Sequence, residues 1–228
     1  MSDPTPAEPT ATYPIAWDKT GEHLFETGVD HGVLYLPDSA GNYNDGVAWN
    51  GLTTITESPE GAEGEKQYAD NIAYLTLVSA EEWKGSIAAF TYPEEFGVCD
   101  GTAAPVPGLQ IGQQSRKPFG LCYRTKVGND TVGQDFGYKL HLAYGLTASP
   151  SEKEYATIND SPEAIEFSWD FTSNPVVVPG MSPASLITVD STKVSKEKIT
   201  ALEEVLYGKG STAPKLPLPA EVLSLLGA

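Results

Sequence analysis

The chain has 228 residues and a formal net charge of −17, from 31 Asp and Glu against 14 Lys and Arg. That surplus excludes a general nucleic-acid binder, because affinity for phosphate rests on basic contacts. With 40% hydrophobic residues the composition is globular, and 22 Gly with 18 Pro favour many short strands over a helical bundle.

Residues 1–30 are Pro-rich, then polar, and follow neither hydrophobic period, so they read as an arm that is flexible until something binds it. The amino terminus has neither a basic region nor an apolar run. No stretch reaches the ~20 apolar residues needed to cross a bilayer, so no membrane anchor is expected and the chain should stay in the cytosol where it is made. The β core is expected over residues 31–190. A first strand, 31–36, leads through the turn formers of 37–46 into a second, 47–56. Residues Glu57 to Asp70 then place five acids, two glycines and a proline between two good strands, a longer link than the usual hairpin loop of 2–5 residues.

Strands follow at 72–78 and 83–92, with a helical turn at 93–97 and a Pro/Gly-rich connection at 100–114. A hairpin joins 117–126 to 136–147, and its second strand alternates: Phe136, Tyr138, Leu140, Leu142, Tyr144 and Leu146 on a core face, Gly137, Lys139, His141, Ala143 and Gly145 on a polar, small one. The strand 163–171 repeats the scheme, with Ile165, Phe167, Trp169 and Phe171 inward and Glu166 and Asp170 outward. A last strand, 186–189, precedes the carboxyl-terminal helical segment, 191–228. There Ile199, Leu202, Val205 and Leu206 share one helical face, Gly208 ends the helix, and Pro219 opens a short second one. The elements describe a mainly β chain: an antiparallel β-sandwich or open barrel with a packed α-helix.

Chemistry is sparse. His23, His31 and His141 lack metal-ligand spacing, and no nucleophile elbow or phosphate loop is present, so no metal, no cofactor and no catalytic residue is expected. Glu166 and Asp170 lie four apart on one strand, ~13 Å, too far for a glycosidase pair. Cys99 and Cys122 could pair in principle, but a reducing compartment favours free, largely buried thiols. Charge is blocked: residues 57–100 carry 10 acids and 2 bases, whereas 101–150 carry 2 acids and 5 bases. Complementary blocks suit association between copies, and an open sandwich leaves strand edges that copies can cover for one another.

The strings GVAWNGLTTITESPEGAE (46–63), YADNIAYL (68–75), TYPEEFGVCDG (91–101), IGQQSRKPFGLCYRTKVGND (111–130), YKLHLAYG (138–145) and TINDSPEAIEFSW (157–169) resemble the major tail protein, the tail tube subunit, of long-tailed siphophages infecting Gram-positive bacteria. The carboxyl-terminal strings DSTKVSKEKITALEEVLYG (190–208) and LPLPAEVLSLLG (216–227) look like the ends of the same family, so the likeness spans roughly residues 28–228. The resemblance implies a virion structural protein, not an enzyme. Six copies would form a ring, rings would stack into a tube, and viral DNA would pass through without specific binding. Tape-measure, tail terminator and baseplate proteins are the implied partners, in the virion tail and, during assembly, in the host cytoplasm.

In this class of tube the loop between two long barrel strands reaches the next ring. On this sequence that role falls to the loop 57–70, with Glu57, Glu60, Glu63, Glu65, Tyr68 and Asp70. Because duplex DNA is densely negative, the channel wall should be acidic, and Glu166 and Asp170 with Lys139 and His141 are expected on the lumen or inter-subunit face. A carbohydrate-binding β-sandwich, using exposed aromatics and carboxylates, is the alternative reading, and a hydrolase with carboxylates paired across strands is a third.

Overall fold

The computed structural model describes residues 15, 17–158, 160–161 and 163–227; most of the expected arm, residues 1–14 and 16, lies outside the described residues. In chain order the strands are β1 (Leu24–Pro37), β2 (Tyr43–Trp49), β3 (Leu52–Glu57), β4 (Gly64–Ala69), β5 (Ile72–Val78) and β6 (Lys84–Ala89). A 3-10 turn (Glu94–Val98) precedes β7 (Ala103–Val106), β8 (Leu109–Ile111), β9 (Phe119–Asn129), β10 (Gly133–Ala148), β11 (Phe167–Ser173) and β12 (Leu186–Asp190). Helices α1 (Lys196–Tyr207) and α2 (Pro219–Leu226) close the chain. Among the described residues the fold is mainly β, with antiparallel sheets, no closed barrel and two helices.

One eight-stranded sheet carries the order β2-β1-β9-β10-β11-β6-β3, and β12 also pairs with β10. Its terminal strands β2 and β3 are consecutive in sequence, joined by Asn50 and Gly51, so the sheet must bend back until its ends meet at that corner. Gly51 makes the corner at φ 78°, and its carbonyl accepts from the Phe90 N–H at 2.9 Å. The expected single strand 47–56 is therefore two strands at opposite ends of one sheet.

The bend buries β1, β9 and β10 on both faces. Val33, Tyr35, Cys122, Leu140, Leu142 and Tyr144 pack on Ile199, Leu202 and Leu206 of α1 and Val222 of α2. Leu34, Leu121, Tyr123 and Ala143 face the other way, onto Ile87 of β6 and Trp169 and Phe171 of β11. Hydroxyls tie the helical side down: Tyr35 donates to the Leu206 carbonyl at 2.6 Å, and Tyr144 to the Pro217 carbonyl at 2.8 Å. Phe96, from the 3-10 turn, plugs the end of the sandwich. Its ring centroid lies 4.5 Å from Trp49, 5.1 Å from Trp169 and 5.3 Å from Phe119. Each such aromatic pair adds about 0.5–1.5 kcal/mol beyond burial.

Three expectations are corrected. The polar, small face of β10 is covered, with Ala143 fully buried and His141 8% exposed, because β3, β6 and β11 lie over it. Leu146 leaves the face of Leu140, Leu142 and Tyr144 and joins the opposite cluster. A register shift between Ala143 and Leu146, with Gly145 at φ 63°, turns the strand over. The first strand begins at Leu24 instead of residue 31, pairing with β9 as far as Asn129; two register shifts, Gly28 at φ 67° and His31 at φ 51° disguise its alternation.

Antiparallel pairing gives the sheet two distinct ends. Leu52, Ala89, Phe119, Ala148 and Phe167 lie at one, and Glu57, Lys84, Asn129, Gly133 and Ser173 at the other. The two small sheets, β4-β5 and β7-β8, leave from opposite ends.

Candidate functional site

The expected loop 57–70 is not a loop between core strands. Residues 64–69 form β4, which pairs antiparallel with β5 in a two-stranded sheet of its own, so 72–78 is not a core strand either. The reason lies at the root of the excursion. Glu60 and Glu82 exchange backbone hydrogen bonds of 2.8 and 2.7 Å, and Ser58 N–H bonds the Lys84 carbonyl at 2.7 Å, which clamps the chain into a hairpin before β4 begins. The Lys84 ammonium lies 2.7 Å from Glu60 Oε2 and 3.2 Å from Glu82 Oε2; these partners raise its pKa and lower that of Glu60. At the tip, Asp70 (φ 49°) and Asn71 (φ 63°) supply the two positive φ angles of a tight hairpin turn.

Along this hairpin every residue of β4 and β5 is exposed. Tyr68 is 70% exposed, Tyr74 67%, Val78 64%, Ile72 62% and Leu77 57%. Alternation puts Ile72, Tyr74 and Val78 on one face of β5 and Leu75 and Leu77 on the other, so the strand is apolar on both sides and covered on neither. A two-stranded sheet in water is marginal by itself, and contiguous exposed apolar surface marks interaction sites.

Five of the six residues expected on the stacking loop are thus distributed along an arm. Glu63 and Glu65 flank or lie on β4, Tyr68 follows, and Asp70 caps the tip; Glu60 holds the root. Glu57 instead ends β3 at the exposed end of the sheet, where its carboxylate accepts from the Tyr123 hydroxyl at 2.6 Å. The apolar residues of β5, assigned on the sequence to a core strand, are the functional candidates that periodicity missed. Their signal was there: IAYLTLV does not alternate, the pattern of a strand destined for cover on both faces.

The four residues expected on one lumen or inter-subunit face are not brought together. Lys139 and His141 neighbour Asp190 and Thr188 of β12, whereas β10 meets β11 only over Leu146–Ala148. Lys139 pairs with Glu26 of β1. His141 stacks flat on Tyr123, with ring centroids 4.6 Å apart and planes at 1°, and its Nε2 lies 2.9 Å from the Thr125 hydroxyl. Desolvation holds its pKa below the ordinary value, against the opposing pull of Glu57, whose Oε1 is 3.7 Å from Nδ1. Both residues therefore belong to the inner face of the sheet.

Glu166, just before β11, and Asp170, on it, are both exposed on its outward side. Glu166 accepts a hydrogen bond from the Thr53 hydroxyl. Asp170 aligns across the strands with Ser86 and Thr56, and Ser168 with Ala88 and Thr54, so this face of β11-β6-β3 is flat, small and rich in hydroxyls. Beyond β6, β3 ends the sheet path.

Among the described residues no group of three His, Cys, Asp or Glu is placed to hold a metal ion, and no helix is long and apolar enough to cross a membrane. Cys99 and Cys122 are free and buried, and burial pushes both thiols up to about 12, far from reactive thiolates. Trp49 and Trp169 are core residues and Trp83 packs against the same cluster, which leaves Trp17 as the exposed indole. No protein-family model and no curated protein matches this chain.

Proposed function

We propose that the chain is a self-assembling structural subunit that builds a phage tail tube, with rings of six copies stacked through the β4-β5 hairpin. The observation that carries this reading is β5 itself, a strand apolar on both faces that its own chain leaves bare. Such a strand gains most from insertion between surfaces of other copies, as stacking requires. The resemblance of the long strings in the sequence to siphophage tail tube subunits supports the same reading. The free outer edge of β3 suits pairing with a neighbour within a ring.

The helices already cover one side of the molecule, so the bare outer face of β3, β6 and β11 is the surface available to line a channel. Its carboxylates, Glu166 and Asp170, and its hydroxyls offer DNA no fixed cation. Lys84, at the margin, is held by Glu60 and Glu82. The chain is not read as an enzyme, and the core position of three of the four tryptophans weakens the sugar-stacking alternative.

Negative-stain micrographs of the concentrated protein test the proposal. Rings or tubes with a central hole are expected. A protein that stays monomeric at every concentration, or that binds glycans as a monomer, refutes it.

A further inference from the structure

We propose that the β7-β8 hairpin is the socket that receives the β4-β5 hairpin of a second copy. This inference rests on the tube reading and names the partner surface of its stacking arm. The donor hairpin leaves the end of the sheet marked by Glu57 and Lys84. The β7-β8 hairpin hangs between the 3-10 turn and Phe119, at the other end. A contact between opposite ends of identical molecules is heterologous and propagates along one direction, which is what a stack of rings needs.

The chemistry of the two surfaces fits. The β7-β8 hairpin is also a two-stranded sheet outside the main one, marginal alone, and it exposes Val106, Leu109 and Ile111. Between it and the 3-10 turn lies a groove of about 360 Å³ of mixed lining, with Val98, Pro105, Val106 and Leu109 as its apolar part and Thr102 and Gln110 as its polar part. Apolar side chains of β5 and the apolar part of the groove supply the buried contact. Charge supplies the direction. Residues 58–83, the donor excursion, hold six acids and one base, whereas residues 101–119, which carry the socket, hold no acid and two bases, Arg116 and Lys117. Glu63, Glu65 and Asp70 of the donor are outside the clamp at its root. Lys117, beside the socket, is exposed and makes no ion pair among the described residues. Glu94 is the acid that lines the groove, at its edge on the 3-10 turn. Two donor hairpins meeting each other would instead bring like charges together.

Disulfide trapping tests this with the full chain. Tyr74→Cys and Leu109→Cys are made in separate proteins, each doped into wild-type subunits so that assembly persists, then mixed and oxidised. A second pair, Ile72→Cys with Val106→Cys, covers the case in which the first falls outside the ~7 Å Cα separation that a disulfide spans. The native thiols are buried and do not compete. Heterodimers that predominate over both homodimers are expected, and lost when the mixture is kept dilute and unassembled. Tubes in which both pairs stay uncrosslinked, or in which Tyr74→Cys copies link mainly to one another, overturn the socket and leave the tube reading standing. If no assembly occurs at any concentration, the tube reading fails and the socket with it.

Discussion

Replacing Tyr74 by Ser separates folding from assembly. The side chain is 67% exposed and rests on nothing in its own chain's core, so its loss should shift monomer stability by less than ~0.5 kcal/mol. In a stack it is buried. Two-thirds of the roughly 200 Å² that a tyrosine presents is about 130 Å², worth ~3 kcal/mol at ~25 cal/mol per Å² if the partner covers all of it. Cover over half leaves about 1.5 kcal/mol. At 1.4 kcal/mol per decade, the concentration at which tubes appear should rise by roughly 10- to 100-fold. Sedimentation across a concentration series reads that threshold, and a urea midpoint on dilute protein reads the monomer. A variant that assembles at the wild-type concentration refutes the reasoning. So does one whose lost assembly is matched by a lost urea midpoint, since the defect would then lie in folding.

Gly145→Ala should destabilise the monomer by roughly 3 kcal/mol, because φ is 63° and an added Cβ would stand 2.3 Å from the Asn174 carbonyl oxygen; thermal melting should fall by about 10 °C. An unchanged melting temperature would mean that the bulge does not hold Leu146 on its observed face. His141, whose folded-state pKa is held below the ordinary histidine value by desolvation, binds its proton more readily in the unfolded chain. Its contribution is therefore intact above pH ~6.5 and declines as pH falls towards the folded-state pKa. Urea midpoints between about pH 7.5 and 5.5 should drop in the wild type and drop less in His141→Gln; equal slopes would remove His141 as the cause. In assembled tubes Asp170→Cys should react with a small maleimide entering at the ends but not with one coupled to a large protein, while both reagents label dilute monomer. Equal labelling of tubes by the two reagents would place β11 on the outer surface.

Local periodicity made the helices and the long hairpin legible. Ile199, Leu202 and Leu206 recur at helical spacing, Gly208 stops α1 at φ 81°, and Pro219 opens α2. Long-range choices were not written in any window. Nothing local in residues 136–148 says that Lys139 and His141 pair with β12 while β11 takes only the last three residues, because that division is made by the partners. Nor does the Pro- and Gly-rich run from 100 to 114 announce β7-β8, whose strands of four and three residues are too short to show a period. The strand end at Leu24 was hidden by bulges. There Asp30 turns to take a two-pronged contact from Arg124 at 2.7 and 2.9 Å, an ion pair that holds the Asp30 carboxyl below its usual range.

The same physics explains where the sequence misled and where it helped. A non-alternating apolar strand reads as core, since covering both faces is what cores do, and residues 72–78 obey that rule except that the cover is absent from their own chain. The acids nearby remove the other explanation, that the run is a buried strand displaced from the sheet. Glu63, Glu65 and Asp70 lie on or beside the paired strand, in positions that a core would exclude unless each found a partner. Apolar faces seek burial and carboxylates resist it, so the hairpin suits an interface with a dry centre and a charged rim. Six acids against one base also keep free hairpins of separate molecules apart at the ~8–10 Å range of screening, so the proposed contact would have to meet a surface poorer in acids than the hairpin itself.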